Sequence, residues 1–278
     1  GLSADPPAVF IFIGNFSTGV AAHPLAHLAK CFRRLAELVC EFSSIAAESY
    51  FIFVPGPCDP EGTSSTALPQ RALPLPVVRQ FRKLVPNSHF ATNPCRLRFC
   101  TQEIVIFRND VVHKMHRHRL MPVTGAPSGA GSDGGGSGDH HDAADETPFS
   151  LTKHVVKTLL DQAHLCPLPL HAQPVFWQWD HALHLYPLPD VVILADRYPN
   201  YEHVYANCLV FNPGSFPIDF SFITYRPRER DTDFCAIDED GDDDGDDDAA
   251  AAGEDERDVV EADAAEDAPL VPSAVRAR

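Results

Sequence analysis

The chain has 278 residues, 44% of them hydrophobic, enough to bury a sizeable core in one large domain or two small ones. Its net charge of −17 is uneven: residues 235–278 hold 17 acids against three arginines, and the other 234 residues hold 22 acids against 19 bases. So neutral a body argues against tight autonomous DNA binding, and the longest early apolar run, residues 8–13, is too short to span a membrane.

In chain order, the run AVFIFI at 8–13 stops at Gly14-Asn15 and predicts a buried strand ending in a turn. Residues 24–42 place Leu25, Leu28, Phe32, Leu35, Leu38, Val39 and Phe42 at helical spacing, which predicts an amphipathic helix. The next buried strand is YFIFV at 50–54, stopped by Pro55-Gly56-Pro57. Strand, helix, strand in this order implies a right-handed crossover and a parallel pair. After a proline-rich loop we expect a short helix at 77–84, strands at 88–91, 96–99 and 103–107, and a helix at 110–118. Residues 120–148 are rich in Gly, Ser and Asp with almost nothing to bury, which reads as a flexible insertion. Helical pattern resumes at 151–163, and strands are expected at 175–179, 183–186, 191–194, 208–211 and 220–225. From 235 onward the acidic, alanine-rich tail reads as disordered. The expected division is therefore 1–119 and 149–234 as two parts of one domain, with the insertion and the tail outside it. The fold class is α/β: two packed mixed sheets flanked by helices. Eight scattered cysteines contain no CxxC pair, and with no leader ahead of them reduced intracellular thiols are expected. The start at Gly1, close to a core strand, reads as an N-terminal truncation.

Strands that end in GN, then PGPxDP, then a lone His, then NPGS resemble the calcineurin-like metallophosphoesterases. Active members carry, in order, DxH, GDxxD, GNH with an acid, a later His, and GHxH before an NPGS turn. Carboxylates and imidazoles there hold two cations that activate water and neutralise phosphate. In this chain the DxH strand is absent. Gly14-Asn15 stands where GD is expected, so the bridging Asp is Asn15. Gly56-Pro57-Cys58-Asp59 stands at GNH plus acid: Pro57 offers no donor and Cys58 replaces the catalytic His. Ala195-Asp196-Arg197-Tyr198 stands at GHxH, with Asp196 and Tyr198 near the lost imidazoles, and His164 matches the isolated His. The turn Asn212-Pro213-Gly214-Ser215 is intact. Donors are replaced while turn-shaping glycines and prolines stay, so the resemblance implies no catalytic residues, no metal and no cofactor. Each position also has a plain structural reading: Asn15 and Asp59 as turn residues, His164 as a buried hydrogen-bonding group.

Longer strings are more specific. FVPGPCDP at 53–60, TNPCR at 92–96, CTQEIVIFR at 100–108, HVVKTLLDQAHLCPLPL at 154–170, YPLPDVVILAD at 186–196 and CLVFNPGSFP at 208–217 resemble the B subunits of DNA polymerase epsilon. They keep their order and span most of residues 8–226; Ala163 departs from an expected Gly, and nothing carries over to the insertion or the tail. The resemblance implies a nuclear, non-catalytic accessory subunit. Its implied partners are the C-terminal domain of the catalytic subunit and, through the holoenzyme, the replicative helicase, with DNA touched indirectly or weakly. Two alternatives stay open: an active metal-dependent phosphodiesterase or phosphatase, or the B subunit of polymerase alpha or delta. Three further features have both a functional and a plain reading. The basic run 113–119 is a nucleic-acid contact or a solvated helix end. Asp139-His140-His141-Asp142 is a weak zinc site or an incidental one. Trp177, Trp179 and Tyr186 are a partner surface or core.

Overall fold

A computed structural model describes residues 6–16, 24–59, 67–119 and 150–237. The expected insertion at 120–148 with its Asp-His-His-Asp group, and the tail beyond Ile237, lie outside the described residues.

The first sheet grows from continuous apolar runs. β1 (Val9–Ile13), β2 (Tyr50–Val54) and β3 (Ser88–Phe90) are all parallel, in the order β1-β2-β3. Such runs contain no polar alternation because both faces are covered. On one face Phe10, Phe12, Phe51 and Phe53 meet α1 (Pro24–Glu41) and α3 (Leu75–Leu84), burying Leu28, Phe32, Val77, Val78 and Phe81. Phe53 stacks on Phe90 at 4.7 Å between ring centroids and meets Phe81 edge-on at 4.9 Å, offset geometries that suit aromatic quadrupoles. On the other face Ile11, Ile52 and Val54 enter a second core.

That second core is shared with a five-stranded mixed sheet. β4 (Cys95–Phe99), β5 (Gln102–Arg108), β6 (Val191–Ala195), β7 (Tyr201–Tyr205) and β8 (Cys208–Asn212) lie in the order β4-β5-β6-β8-β7. β5, β6 and β8 run parallel; β4 and β7 are antiparallel edges. Ile104, Ile106, Val191, Ile193, Leu209 and Phe211 face the first sheet. Their alternates Val105, Phe107, Val192, Leu194 and Val210 face α4 (Val111–Arg117) and α5 (Leu151–Asp161). The period-2 alternation of strands thus produces four layers: helix, sheet, sheet, helix. A hairpin of β9 (Ser221–Arg226) and β10 (Asp231–Ala236) adds Ile223 and Tyr225 to the middle core. The α/β class holds, though one of its two main sheets is wholly parallel rather than mixed.

Two expected strands, 175–179 and 183–186, are not there. The segment forms the 3-10 helix Trp177–Leu183, with single isolated bridges from Leu68 to Val175 and from His164 to His184. Its aromatics imitate strand composition, but Trp177 and Trp179 are 78% and 55% exposed and Tyr186 86%. They are not core. Four elements escape the pattern reading. α2 (Ser43–Glu48) and α6 (Phe216–Asp219) bury no side chain, so no apolar period marks them. β7 is an edge strand of Tyr, Glu and His, joined to β8 through Ala206 and Asn207, both at positive φ as a tight hairpin requires. β10 runs to Ala236, two residues past the boundary that composition draws at 234. None of the eight cysteines, all of them among the described residues, forms a disulfide. Burial pushes the thiols of Cys95 and Cys166 up to about 11 and that of Cys208 to about 12. Among the described residues no helix is long and apolar enough to cross a membrane.

Candidate functional site

The parallel strands β1, β5, β6 and β8 come from both sheets, and residues at their carboxyl ends meet around one cavity of about 360 Å³. In α/β folds this is where ligands and metals bind. Asn15, Arg108 and Asp196 line it.

Loops after β1 and β2 are locked together. The Asp59 carboxylate, 5% exposed, accepts Phe16 N–H on Oδ1 at 2.6 Å and Gly56 N–H on Oδ2 at 2.8 Å. Asn15 Oδ1 accepts Cys58 N–H at 2.9 Å. Gly14 donates to Val54 O at 2.8 Å. The two glycines sit so close that a Cβ on Gly14 would lie 2.6 Å from Gly56 N. Pro57 is half-buried and Cys58 exposed.

The loop after β6 is locked to its neighbours in the same way. Asp196 Oδ2 accepts Val112 N–H at 2.8 Å, so it caps α4 from another part of the chain, where the helix's own Asp110 makes no side-chain cap. Burial pushes the Asp196 carboxyl up, and the nearby charge of Asp110 adds to that, against the Val112 hydrogen bond. Asn212, fully buried, accepts Asp196 N–H and donates to Tyr198 O at 2.7 Å and Pro199 O at 3.2 Å. Gly214 follows at φ +78°, the left-handed region in which glycine alone is unstrained. Through Asn212 the turn joins two loops. Tyr198 packs against the outer core beside Tyr201.

Arg108, at the end of β5, is the group the motifs did not single out. It is 6% exposed. Its Nε donates to Gly14 O at 2.8 Å, and its Nη1 donates to Asp110 Oδ1 at 2.8 Å and Ala195 O at 3.1 Å. One guanidinium thereby ties the end of β1 in one sheet to the ends of β5 and β6 in the other. Burial alone would raise the Asp110 carboxyl, but the hydrogen bond and charge of Arg108, with Arg197, hold it below the usual range. The Arg108 main chain is fixed by Asn93, which also bonds Gln70, and Gln70 reaches Gly56 O.

His164 makes its hydrogen bonds elsewhere, to Asp180 and Cys166. It lies with Asp180 and His184, the three donor atoms within 4.8 Å of one another. His164 Nδ1 accepts Cys166 N–H at 3.0 Å, so the neutral ring carries its proton on Nε2 and donates to Asp180 Oδ1 at 3.3 Å. Metal binding through Nε2 needs the opposite tautomer and loses the Cys166 bond. The trio therefore serves as a pin for the 3-10 segment. Replacing Asp180 by Ala is expected to lower stability by about 1–2 kcal/mol, measured by urea unfolding. Zinc should leave the melting temperature of the unsubstituted chain unchanged; a rise absent from the Asp180→Ala chain would make the trio a metal site. The basic run 113–119 is a helix C-terminus: Lys114 is tied to Asn109 and Gln173, and the His118 ring meets that of His171.

The family model of the DNA polymerase alpha/epsilon B subunits matches residues 1–203. The chain belongs to that family. DNA polymerase epsilon subunit 2 of Homo sapiens is 40% identical over 232 residues, covering 83% of this chain and 40% of its own length. The DNA polymerase epsilon B subunit of Arabidopsis thaliana is 36% identical over 236 residues, with the same two coverages. That of Saccharomyces cerevisiae is 30% identical over 241 residues, covering 77% of this chain and 35% of its own length. The chain thus spans about two fifths of the curated relatives it matches. A solved archaeal phosphodiesterase superposes at a TM-score of 0.34 and 10% identity, over 82% of this chain and 99% of that one. At that level the likeness carries no argument.

Within this family member the motif positions divide. Asn15, Pro57, Cys58 and Asp59 are brought together, Asn15 and Asp196 line one cavity, and His164 and Tyr198 belong to other networks. Arg108, Asn93, Gln70 and Asn212 hold the loops. The one sequence signal for Arg108 is a charged residue closing the buried strand EIVIF.

Proposed function

We propose that this chain is a non-catalytic part of a DNA polymerase epsilon accessory subunit, acting in the nucleus. It binds the C-terminal domain of the catalytic subunit, joins the replicative helicase through the holoenzyme, and touches DNA at most indirectly. Family membership and the names of the relatives support the subunit role. The observation that carries the non-catalytic part is how the expected donors are used. Both Asp59 oxygens accept backbone N–H groups, Asn15 Oδ1 accepts another, and Asp196 caps α4. A buried guanidinium stands among them and repels further cations. These residues do not fit a binuclear metal centre, which needs several uncommitted anionic ligands. The turns are kept as architecture, and their loops form a rigid end on a four-layer domain.

The test is a pull-down of the chain with the C-terminal domain of a polymerase epsilon catalytic subunit. Manganese-dependent hydrolysis of bis-p-nitrophenyl phosphate is assayed on the same sample. Stoichiometric capture without hydrolysis above the buffer rate is expected. Hydrolysis that Asp59→Asn abolishes while the circular dichroism spectrum stays native would overturn the reading in favour of an enzyme.

A further inference from the structure

The helix layer over the parallel sheet carries a charge opposite to that of the chain. α1 and α3 lie side by side there: Phe32 meets Phe81 edge-on at 6.1 Å between ring centroids, and Cys40 Sγ donates to Leu84 O at 3.8 Å. Each helix buries its apolar face in the core beneath. At about 3.6 residues per turn, the faces turned away from the sheet hold Lys30, Arg33 and Arg34 on α1 and Arg79, Arg82 and Lys83 on α3. All six are exposed. The two helices thus carry six cations against two acids, Glu37 and Glu41, while residues 1–234 as a whole hold 22 acids against 19 bases.

These cations are also poorly matched within the fold. Arg33 pairs with Glu37, but among the described residues Lys30, Arg34, Arg79, Arg82 and Lys83 have no ion pair. Many cations elsewhere do have one: Arg96 with Glu103, Lys157 with Asp161, Arg226 with Asp231 and Arg230 with Asp190. Like charges fixed side by side on a rigid layer repel one another and attract a polyanion.

We propose that this face is the docking surface for the chain's own acidic segment, residues 238–267. Charge complementarity selects the occupant. The segment holds 17 acids, nine of them within 238–248, against the single Arg257. It begins directly after Ile237, whose N–H bonds Phe220 O beside β10. Thirty residues reach about 100 Å when extended, and a body of about 230 residues has a radius of gyration of about 18 Å, so chain length is no obstacle. Covalent linkage supplies the segment at an effective concentration on the order of millimolar, which a polyanion from solution must exceed. Single exposed ion pairs are weak, so the contact is a salt-sensitive network of guanidinium and ammonium groups with many carboxylates. A face that would otherwise attract nucleic-acid phosphates is then occupied from within the chain. The inference rests on where the fold places these charges and does not need the functional reading above.

Zero-length carbodiimide cross-linking of carboxylates to lysines in the full 278-residue chain tests it, read by mass spectrometry on the monomer band. Lys30 and Lys83 report on this face, and the exposed Lys153 of α5, in the opposite outer layer, is the internal control. Cross-links from 238–267 are expected at Lys30 and Lys83 at least about tenfold more often than at Lys153. They should vanish in about 1 M salt, where the screening length falls to about 3 Å. Arg34→Glu, Arg79→Glu and Arg82→Glu together leave both lysines and every buried residue in place, and should cut the same cross-links about tenfold. The proposal is overturned if cross-links are absent, are as frequent at Lys153, or survive high salt. Cross-links confined to a dimer band would give the face to a second copy and overturn it too. The last arm uses a duplex of about 20 base pairs and a chain carrying Asp238→Asn, Glu239→Gln and the seven further Asp→Asn changes of 238–248. A duplex that binds this chain and the unsubstituted one equally, and that the triple Arg→Glu chain releases, would give the face to nucleic acid and overturn the proposal.

Discussion

Gly56→Ala is expected to cost about 3–5 kcal/mol, at the far end of what a single methyl does. A Cβ at Gly56 would lie 2.3 Å from Asn15 Oδ1, 2.6 Å from the Gly14 carbonyl carbon and 2.8 Å from Asn15 N. Two of those atoms are backbone, so no rotamer change relieves the contact. The loops cannot slide apart cheaply either. Gly14 N–H is bonded to Val54 O, and Asp59 spans the junction with one oxygen on each loop. Separation would strand the Asp59 carboxylate in a site where it is 5% exposed, and unpaired buried charges cost several kcal/mol. The measurement is the urea midpoint of Gly56→Ala against Cys58→Ala. Cys58 is exposed two residues away, and its substitution should stay within about 0.5 kcal/mol. A loss below about 1 kcal/mol at Gly56 would mean that the two loops give way, and that the motif glycines are not kept for close approach.

The same contrast explains what the sequence made legible. The runs AVFIFI, YFIFV and EIVIF announce strands because each is buried on both faces, and that double burial is also what builds four layers from them. Elements without a buried face carry no such signal, which is why α2, α6 and the polar edge strand β7 leave no pattern in the sequence. The Trp177–Trp179 stretch failed in the opposite sense. Its composition suits a strand, but Trp179 N–H bonds Phe176 O three residues back in a 3-10 turn, and the aromatics face solvent. At the site, residue types alone imply, through the family resemblance, that donors are replaced. They did not reveal the new occupation of those that stayed. Asp59 is the same carboxylate whether it faces a metal or two amides. Only the positions of Phe16 N and Gly56 N decide which it does. Arg108 was hidden for a related reason: its importance comes from Gly14 and Ala195, 94 and 87 residues away.

Arg108→Leu is expected to cost about 3–4 kcal/mol at pH 7, and the cost should shrink in acid. Leucine keeps the apolar stem and deletes the donors to Gly14 O and Ala195 O, along with the partner of Asp110. Removing one member of a buried pair costs about 3–5 kcal/mol, and the lower part of that range applies because the Asp110 side chain is 31% exposed and can rehydrate. Arg108→Lys should recover only a fraction, since an ammonium on a flexible stem does not reproduce a fork that serves three acceptors. The pH dependence follows from the sign of the Asp110 shift. Its folded carboxyl is held below the unfolded value of about 3.9, so it contributes stability above that pH and loses it as pH falls through the folded value. Without Arg108 the largest remaining influence is burial, which pushes the same carboxyl up. Stability from that source is then present at low pH and lost as pH rises. The two chains should therefore differ most near neutrality and converge below about pH 4. Asp196, raised by burial in both, is also held down by the Arg108 charge, so losing Arg108 raises it further and adds to the same pH dependence. Urea unfolding of both chains at pH 7 and pH 4 measures the effect. A cost that stays the same at the two pH values would show that Arg108 acts through its bonds to the strand-end carbonyls alone, and not as the fixed cation of the site.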